Sequence, residues 1–118
     1  MFTIQLNNLS FKAFHGLYAE EQIIGGTFIV NLSVNFSIAN NKVITIDETV
    51  NYDNLFQTVS YQMQQPTALL ENLTKNISDA ILKQFHQVQE IDIRITKKNP
   101  PIKNFNGDIT VCYTTKRS

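Results

Sequence analysis

The sequence predicts an α+β fold in which an antiparallel sheet carries two helices on one face. Three observations lead there. Apolar and polar residues alternate near both ends of the chain, whereas the middle repeats its apolar residues at helical spacing. Gly and Pro fall at the joints between these stretches, at Gly16, Gly25-Gly26, Pro66, Pro100-Pro101 and Gly107. The predicted order is strand, strand, helix, helix, strand, strand, or ββααββ.

The first strand covers residues 2–14. Phe2, Ile4 and Leu6 are in step, Asn7-Asn8 breaks the alternation, and Leu9, Phe11 and Ala13 resume it. That pattern predicts a long strand with a bulge. The second strand covers 27–39, with Phe28, Val30, Leu32, Val34, Phe36 and Ile38 on one face. Gly25-Gly26 is read as a hairpin element between the two strands. Residues 22–41 carry no charged side chain. Exposed edge strands are usually blunted by charge, so this strand either lies inside the sheet or pairs with another subunit.

The first helix is predicted over Tyr52–Gln65, with Leu55, Phe56, Val59 and Met63 as its apolar stripe. Asn51 or Asp53 can cap it, and Pro66 stops it. The second helix runs from about Thr67 to Phe85, striped by Leu69, Leu70, Leu73, Ile77, Ile81 and Phe85. Period two then returns. Ile91, Ile93 and Ile95 alternate with Asp92, Arg94 and Thr96; Ile109, Val111 and Tyr113 alternate with Thr110, Cys112 and Thr114.

With 118 residues, 1–118 is expected to be a single domain. The hydrophobic share of 42% suffices for a core, which excludes a wholly disordered chain. The formal charge of +0 argues against a nucleic-acid binder. No apolar run approaches the ~18 residues of a membrane span and no signal segment is visible, so a soluble, cytoplasmic protein without membrane partners is expected. The lone cysteine, Cys112, permits no internal disulfide and is read as a small core residue. Six of the basic residues gather in 93–118, beside a more acidic remainder.

Familiar catalytic signatures are absent. His15 and His86 lack metal-ligand spacing, and no phosphate loop or nucleophile elbow is present. Polar residues beside turns remain: His15-Gly16, Glu20-Glu21, Asn51-Tyr52, Glu71 and Lys97-Lys98. Each has a plain structural explanation. Glu20 and Glu21 would be solvated after a turn, and Glu71 would suit the positive end of a helix.

Taken together, these segments carry more information. His15-Gly16 with Glu21, Thr49-Val50-Asn51-Tyr52, Leu69-Leu70-Glu71-Asn72-Leu73 and Thr96-Lys97-Lys98-Asn99-Pro100-Pro101-Ile102 resemble the dihydroneopterin aldolase family in order and spacing. The resemblance covers essentially the whole chain. It implies the tunnelling fold, in which four subunits close their sheets into a sixteen-stranded barrel and two rings stack as an octamer. It implies a retro-aldol cleavage of 7,8-dihydroneopterin on the route to folate, with neither metal nor other cofactor. It matches Glu71 to the pterin anchor, with backbone groups near Val50, Ala68, Leu69 and Leu70 meeting the other ring edges. Lys97, Tyr52 and Glu21 match the family's catalytic residues, Tyr52 reaching the site from a neighbouring subunit. Lys98 is a candidate cation for lowering the pKa of Lys97, although adjacent strand residues face opposite ways. Two departures bear on substrate fit: Gln22 stands where Arg is common, and residues 40–46 are about one residue short and lack a usual acidic residue. The related triphosphate epimerase and a non-catalytic ring scaffold are the alternatives.

Overall fold

The computed structural model describes residues 1–38 and 45–118. The short segment expected at 40–46 falls largely outside these residues, as does the predicted end of the second strand at residue 39. The elements are β1 (Phe2–Ala13), α1 (Ala19–Ile24), β2 (Gly26–Phe36), α2 (Tyr52–Met63), α3 (Leu70–Gln84), β3 (Val88–Lys98) and β4 (Asp108–Lys116). The strands form one antiparallel sheet in the order β1-β2-β3-β4.

Alternation fixes which side of the sheet is buried. On β2, Phe28, Val30, Leu32, Val34 and Phe36 face the helices and are buried. The register sets Val30 opposite Ile95, Leu32 opposite Ile93 and Val34 opposite Ile91. Leu55, Val59 and Met63 of α2 and Leu73, Ile77 and Ile81 of α3 close the layer from above. Each fully buried side chain of this size contributes ~1.5–3 kcal/mol over its exposed state. α2 lies toward β1, and α3 lies over β3 and β4. The uncharged β2 is therefore interior, paired on both sides. Its lack of charge needs no second subunit, and among the described residues the free sheet edges are β1 and β4.

The expected bulge is present. The pairing jumps from Leu6↔Leu32 to Leu9↔Val30. Asn8 takes φ 57, a left-handed conformation that Asn tolerates, and its N–H donates to Asn31 Oδ1 at 2.8 Å.

Three expectations need correction. Gly25-Gly26 is not a hairpin turn, because the six-residue α1 lies between β1 and β2. Gly25 ends α1 at φ 78, where a Cβ would also press on the Ala13 carbonyl at 2.8 Å. The second helix begins at Leu70, three residues later than expected, because 64–69 form a connecting loop. Cys112 is exposed, since the parity that turns Ile109, Val111 and Tyr113 toward the helices turns Cys112 away.

Candidate active site

Lys97 is placed by the same parity that builds the core. Ile91, Ile93 and Ile95 face inward, so Lys97 does too, two residues beyond the last buried isoleucine. Its cross-strand partner is Phe28, and the ammonium lies 5.9 Å from that ring's centre. The apolar stem is covered, and the Nζ emerges at the end of the sheet. Burial lowers the Lys97 pKa from the ordinary lysine value.

The partner of this ammonium is Glu21, whose Oε2 accepts from Nζ in an ion pair. Glu21 was expected in solvent but is only 9 % exposed. α1 explains the difference. Glu21 is the third residue of that helix, and its Oε1 also accepts the Tyr18 N–H at 3.4 Å, as in the reciprocal half of a capping box. The carboxyl lies against Gly16, where any Cβ would overlap it. Gly16 thus makes room for the charged group that Lys97 needs. Lys98 contributes nothing to this pair. It lies on the opposite face and donates to Asp108 Oδ2 at 3.0 Å. Desolvation, not a neighbouring cation, lowers the Lys97 pKa.

The pair forms one wall of an open cleft of about 350 Å³. The opposite wall is the start of α3, with Ala68, Leu69, Leu70 and Glu71. Leu69 is the N-cap residue and supplies no side-chain hydrogen bond. The leading amides of α3 therefore stay available beside an exposed carboxylate, Glu71. Such an edge offers both N–H donors and a paired acceptor, the complement of a flat ring with an amide-like rim. Pro100, Pro101, Ile102, Ile109 and Val111 give the cleft an apolar side.

Two expected residues lie elsewhere in this chain. Val50 is fully buried, ahead of α2, and does not line the cleft. Tyr52 is 68 % exposed at the first position of α2, also away from the cleft.

His15 was noted in the sequence only as part of a motif. It is buried beneath the Lys97–Glu21 pair, its ring edge-on to Phe28 with centres 5.2 Å apart. Nδ1 accepts the Thr67 N–H at 3.2 Å, so the ring proton resides on Nε2. Burial lowers the His15 pKa; the Met63 carbonyl opposes this shift, and the Lys97 charge adds to it. Continuing the β1 alternation from Ala13 to His15 is the sequence signal that would have placed this ring inside. Among the described residues, no group of His, Cys, Asp and Glu could hold a metal ion, and no helix is long and apolar enough to cross a membrane.

This architecture defines a class first. The chain superposes on the Escherichia coli dihydroneopterin aldolase solved in complex with neopterin, with a TM-score of 0.82 at 18% identity, covering 98% of this chain and 99% of that one. The fold is thus the tunnelling fold that the family resemblance implied. Sequence narrows the class to a family. The dihydroneopterin aldolase family model matches residues 4–114. A Staphylococcus epidermidis dihydroneopterin aldolase is 36% identical over 102 residues, 84% of each chain. One from Bacillus subtilis is 25% identical over 117 residues, 98% of each. The chain belongs to the dihydroneopterin aldolase family.

Proposed function

We infer that this chain cleaves 7,8-dihydroneopterin into 6-hydroxymethyl-7,8-dihydropterin and glycolaldehyde, a step of folate biosynthesis. One observation carries the reading at the level of geometry: the Lys97–Glu21 pair faces the uncapped start of α3 and Glu71 across a single cleft. Glu71 accepts from the pterin 2-amino group and N3–H, and backbone groups at Ala68, Leu69 and Leu70 meet the rest of that edge. This fixes the ring so that its side chain extends toward Lys97.

The reaction removes the proton of the C2′ hydroxyl, and the C1′–C2′ bond breaks. Its electrons pass through C1′ into the C6=N5 imine, and C2′ leaves as the aldehyde carbon of glycolaldehyde. The resulting enamine is protonated at C1′. The substrate thus accepts its own electrons, and the protein supplies orientation and proton transfer. Lys97, with its lowered pKa, takes the C2′ proton. Glu21 holds Lys97 in place and orders water or substrate hydroxyls. Tyr52 delivers the proton to C1′ from a neighbouring subunit, and Val50 from that subunit meets the ring edge. The exposure of Tyr52 and its distance from its own cleft support a site shared between chains. The unpaired edges of β1 and β4 are where tetrameric rings would close, and two rings would make the octamer. Residues 1–118 act as one domain, and the protein works in the cytoplasm.

The direct test is incubation with 7,8-dihydroneopterin and assay of glycolaldehyde. Equimolar release with hydroxymethyl-dihydropterin is expected; intact substrate would refute the activity. Mixing Lys97→Ala and Tyr52→Phe subunits tests the shared site. Reassembled mixtures should regain activity, since some sites combine an intact Lys97 with an intact Tyr52. A mixture no more active than its parents would place both residues in one chain's site.

A further inference from the structure

His15 is 1 % exposed, and its Nε2 makes no close hydrogen bond among the described residues, although the Met63 carbonyl lies near enough to the ring to favour its protonation. An apolar side chain would fill this space without burying an unmet donor. The explanation lies in what the other ring nitrogen holds. Nδ1 accepts from Thr67 N–H at 3.2 Å, and the Gly16 N–H donates to the Thr67 carbonyl at 3.1 Å. The turn after β1 therefore grips Thr67 at both its amide and its carbonyl. Thr67 stands three residues before α3, in the segment that leads into the cleft. The carbonyl of His15 itself accepts from Lys97 Nζ at 3.5 Å. One residue thus joins Lys97 on one wall to the segment that leads into the other.

We propose that His15 is a positioning residue, which fixes the leading amides of α3 and Glu71 at a set distance from Lys97. This rests on the reading of the cleft given above. The ring must be neutral to do it, because a proton on Nδ1 would set two donors against each other. Its surroundings favour the neutral form. The ring is buried, and the charged groups around it are Lys97 from β3 and Glu21 from α1, with Lys98 and Glu20 on the rim of the same small cavity of about 190 Å³.

His15→Asn and His15→Gln separate this role from packing. The Asn oxygen reaches the place of Nδ1, whereas the Gln amide reaches that of Nε2. Losing the Thr67 bond should raise KM for 7,8-dihydroneopterin and Kd for neopterin about tenfold in His15→Gln, with kcat changing less. His15→Asn should stay within a few-fold of wild type. Equal losses in both variants, or none in either, overturn the proposal. If neither folds, nitrogen NMR of the wild-type histidines decides. His15 should show the Nε2–H tautomer with and without neopterin, distinguishable from the exposed His86. An Nδ1–H ring or an imidazolium at neutral pH would overturn it. If wild type binds neopterin yet releases no glycolaldehyde, the activity fails, and the Kd comparison still judges His15.

Discussion

The two ends of α3 are treated differently by the rest of the chain. At the C-terminal end, Arg117 reaches across from beyond β4. It donates from Nη2 to the carbonyls of Leu82 at 2.8 Å and Phe85 at 3.0 Å, and from Nε to that of Val88 at 2.8 Å. The carbonyls that the helix cannot satisfy are met by a cation, which also suits the negative end of the macrodipole. At the N-terminal end, no side chain among the described residues caps the amides. The neighbouring α2 shows that this is not a general habit of the chain. There, Asn51 Oδ1 accepts from the amides of Asp53 at 3.0 Å and Asn54 at 3.4 Å. Capping is withheld at the one long-helix start that borders the Lys97 cleft. If the proposed function holds, the contrast separates a structural end from a binding end, and substitutions can test it.

The largest effect should come from across the cleft. If the open end of α3 only binds, chemistry resides in Lys97, and Lys97→Ala should lower kcat ~10²–10⁴-fold while neopterin affinity changes little. Glu21 then loses its partner, so the variant should also melt earlier and be assayed well below its transition. The lowered Lys97 pKa means that the free amine, the competent base, gains population at lower pH than in an ordinary lysine. Wild-type kcat should therefore climb with pH and level off below about 10.4, with the slope absent in the variant. Unchanged turnover would remove Lys97 from the chemistry.

Next in size is Glu71→Ala. Losing a charge-assisted pair of hydrogen bonds should weaken neopterin binding by about 2–4 kcal/mol in calorimetry. Stability should move only by a macrodipole term of ~0.3–1 kcal/mol. A large melting shift with unchanged affinity would make this end structural too.

Arg117→Ala should do the reverse. Unmet carbonyls at the closed end should cost about 1–3 kcal/mol of stability, read by denaturant unfolding, with kcat and affinity preserved. Loss of binding without loss of stability would break the division between the ends.

The smallest and most discriminating change is Leu69→Ser. Leu69 already has extended backbone angles, φ −115 and ψ 129, which suit a capping serine. The new cap should add about 1 kcal/mol to α3. It should also weaken neopterin binding several-fold, by competing for the amides. A gain in stability with undiminished affinity would show that the ligand does not use them.

The sequence made some parts of this molecule legible and left others hidden. Strands and helices followed from period, because Ile91, Ile93 and Ile95 or Leu73, Ile77 and Ile81 cannot be buried together otherwise. α1 escaped, since a six-residue helix is too short to show a period. Missing α1 hid the burial of Glu21, whose direction depends on that helix and on the bare backbone of Gly16. Lys97 was legible through parity, and the same parity rules out Lys98. The open end of α3 was not legible, because it depends on Leu69 ending the preceding loop rather than continuing a helix from Thr67. Tyr52 was legible as a helix start, and its own chain does not bring it to the cleft.

The bulge in β1 has a consequence for how this protein tolerates insertions and deletions. Before it, the even-numbered Ile4 and Leu6 face the helices; after it, the odd-numbered Leu9, Phe11 and Ala13 do. The strand is thus read in two frames, and Asn7-Asn8 marks the change. Removing one asparagine would leave one residue opposite Asn31, so that Ile4, Leu6, Leu9, Phe11 and Ala13 alternate in a single frame and keep their inward face. A deletion past the bulge, of Ser10 for instance, has no extra residue to absorb it: Lys12 would turn inward and, continued along the chain, the imidazole of His15 would turn out of its pocket. The same loss of one residue would be absorbed at Asn7-Asn8 and, a few residues later, would act on the cleft as a lesion at its floor, although every residue of the site remained in the chain.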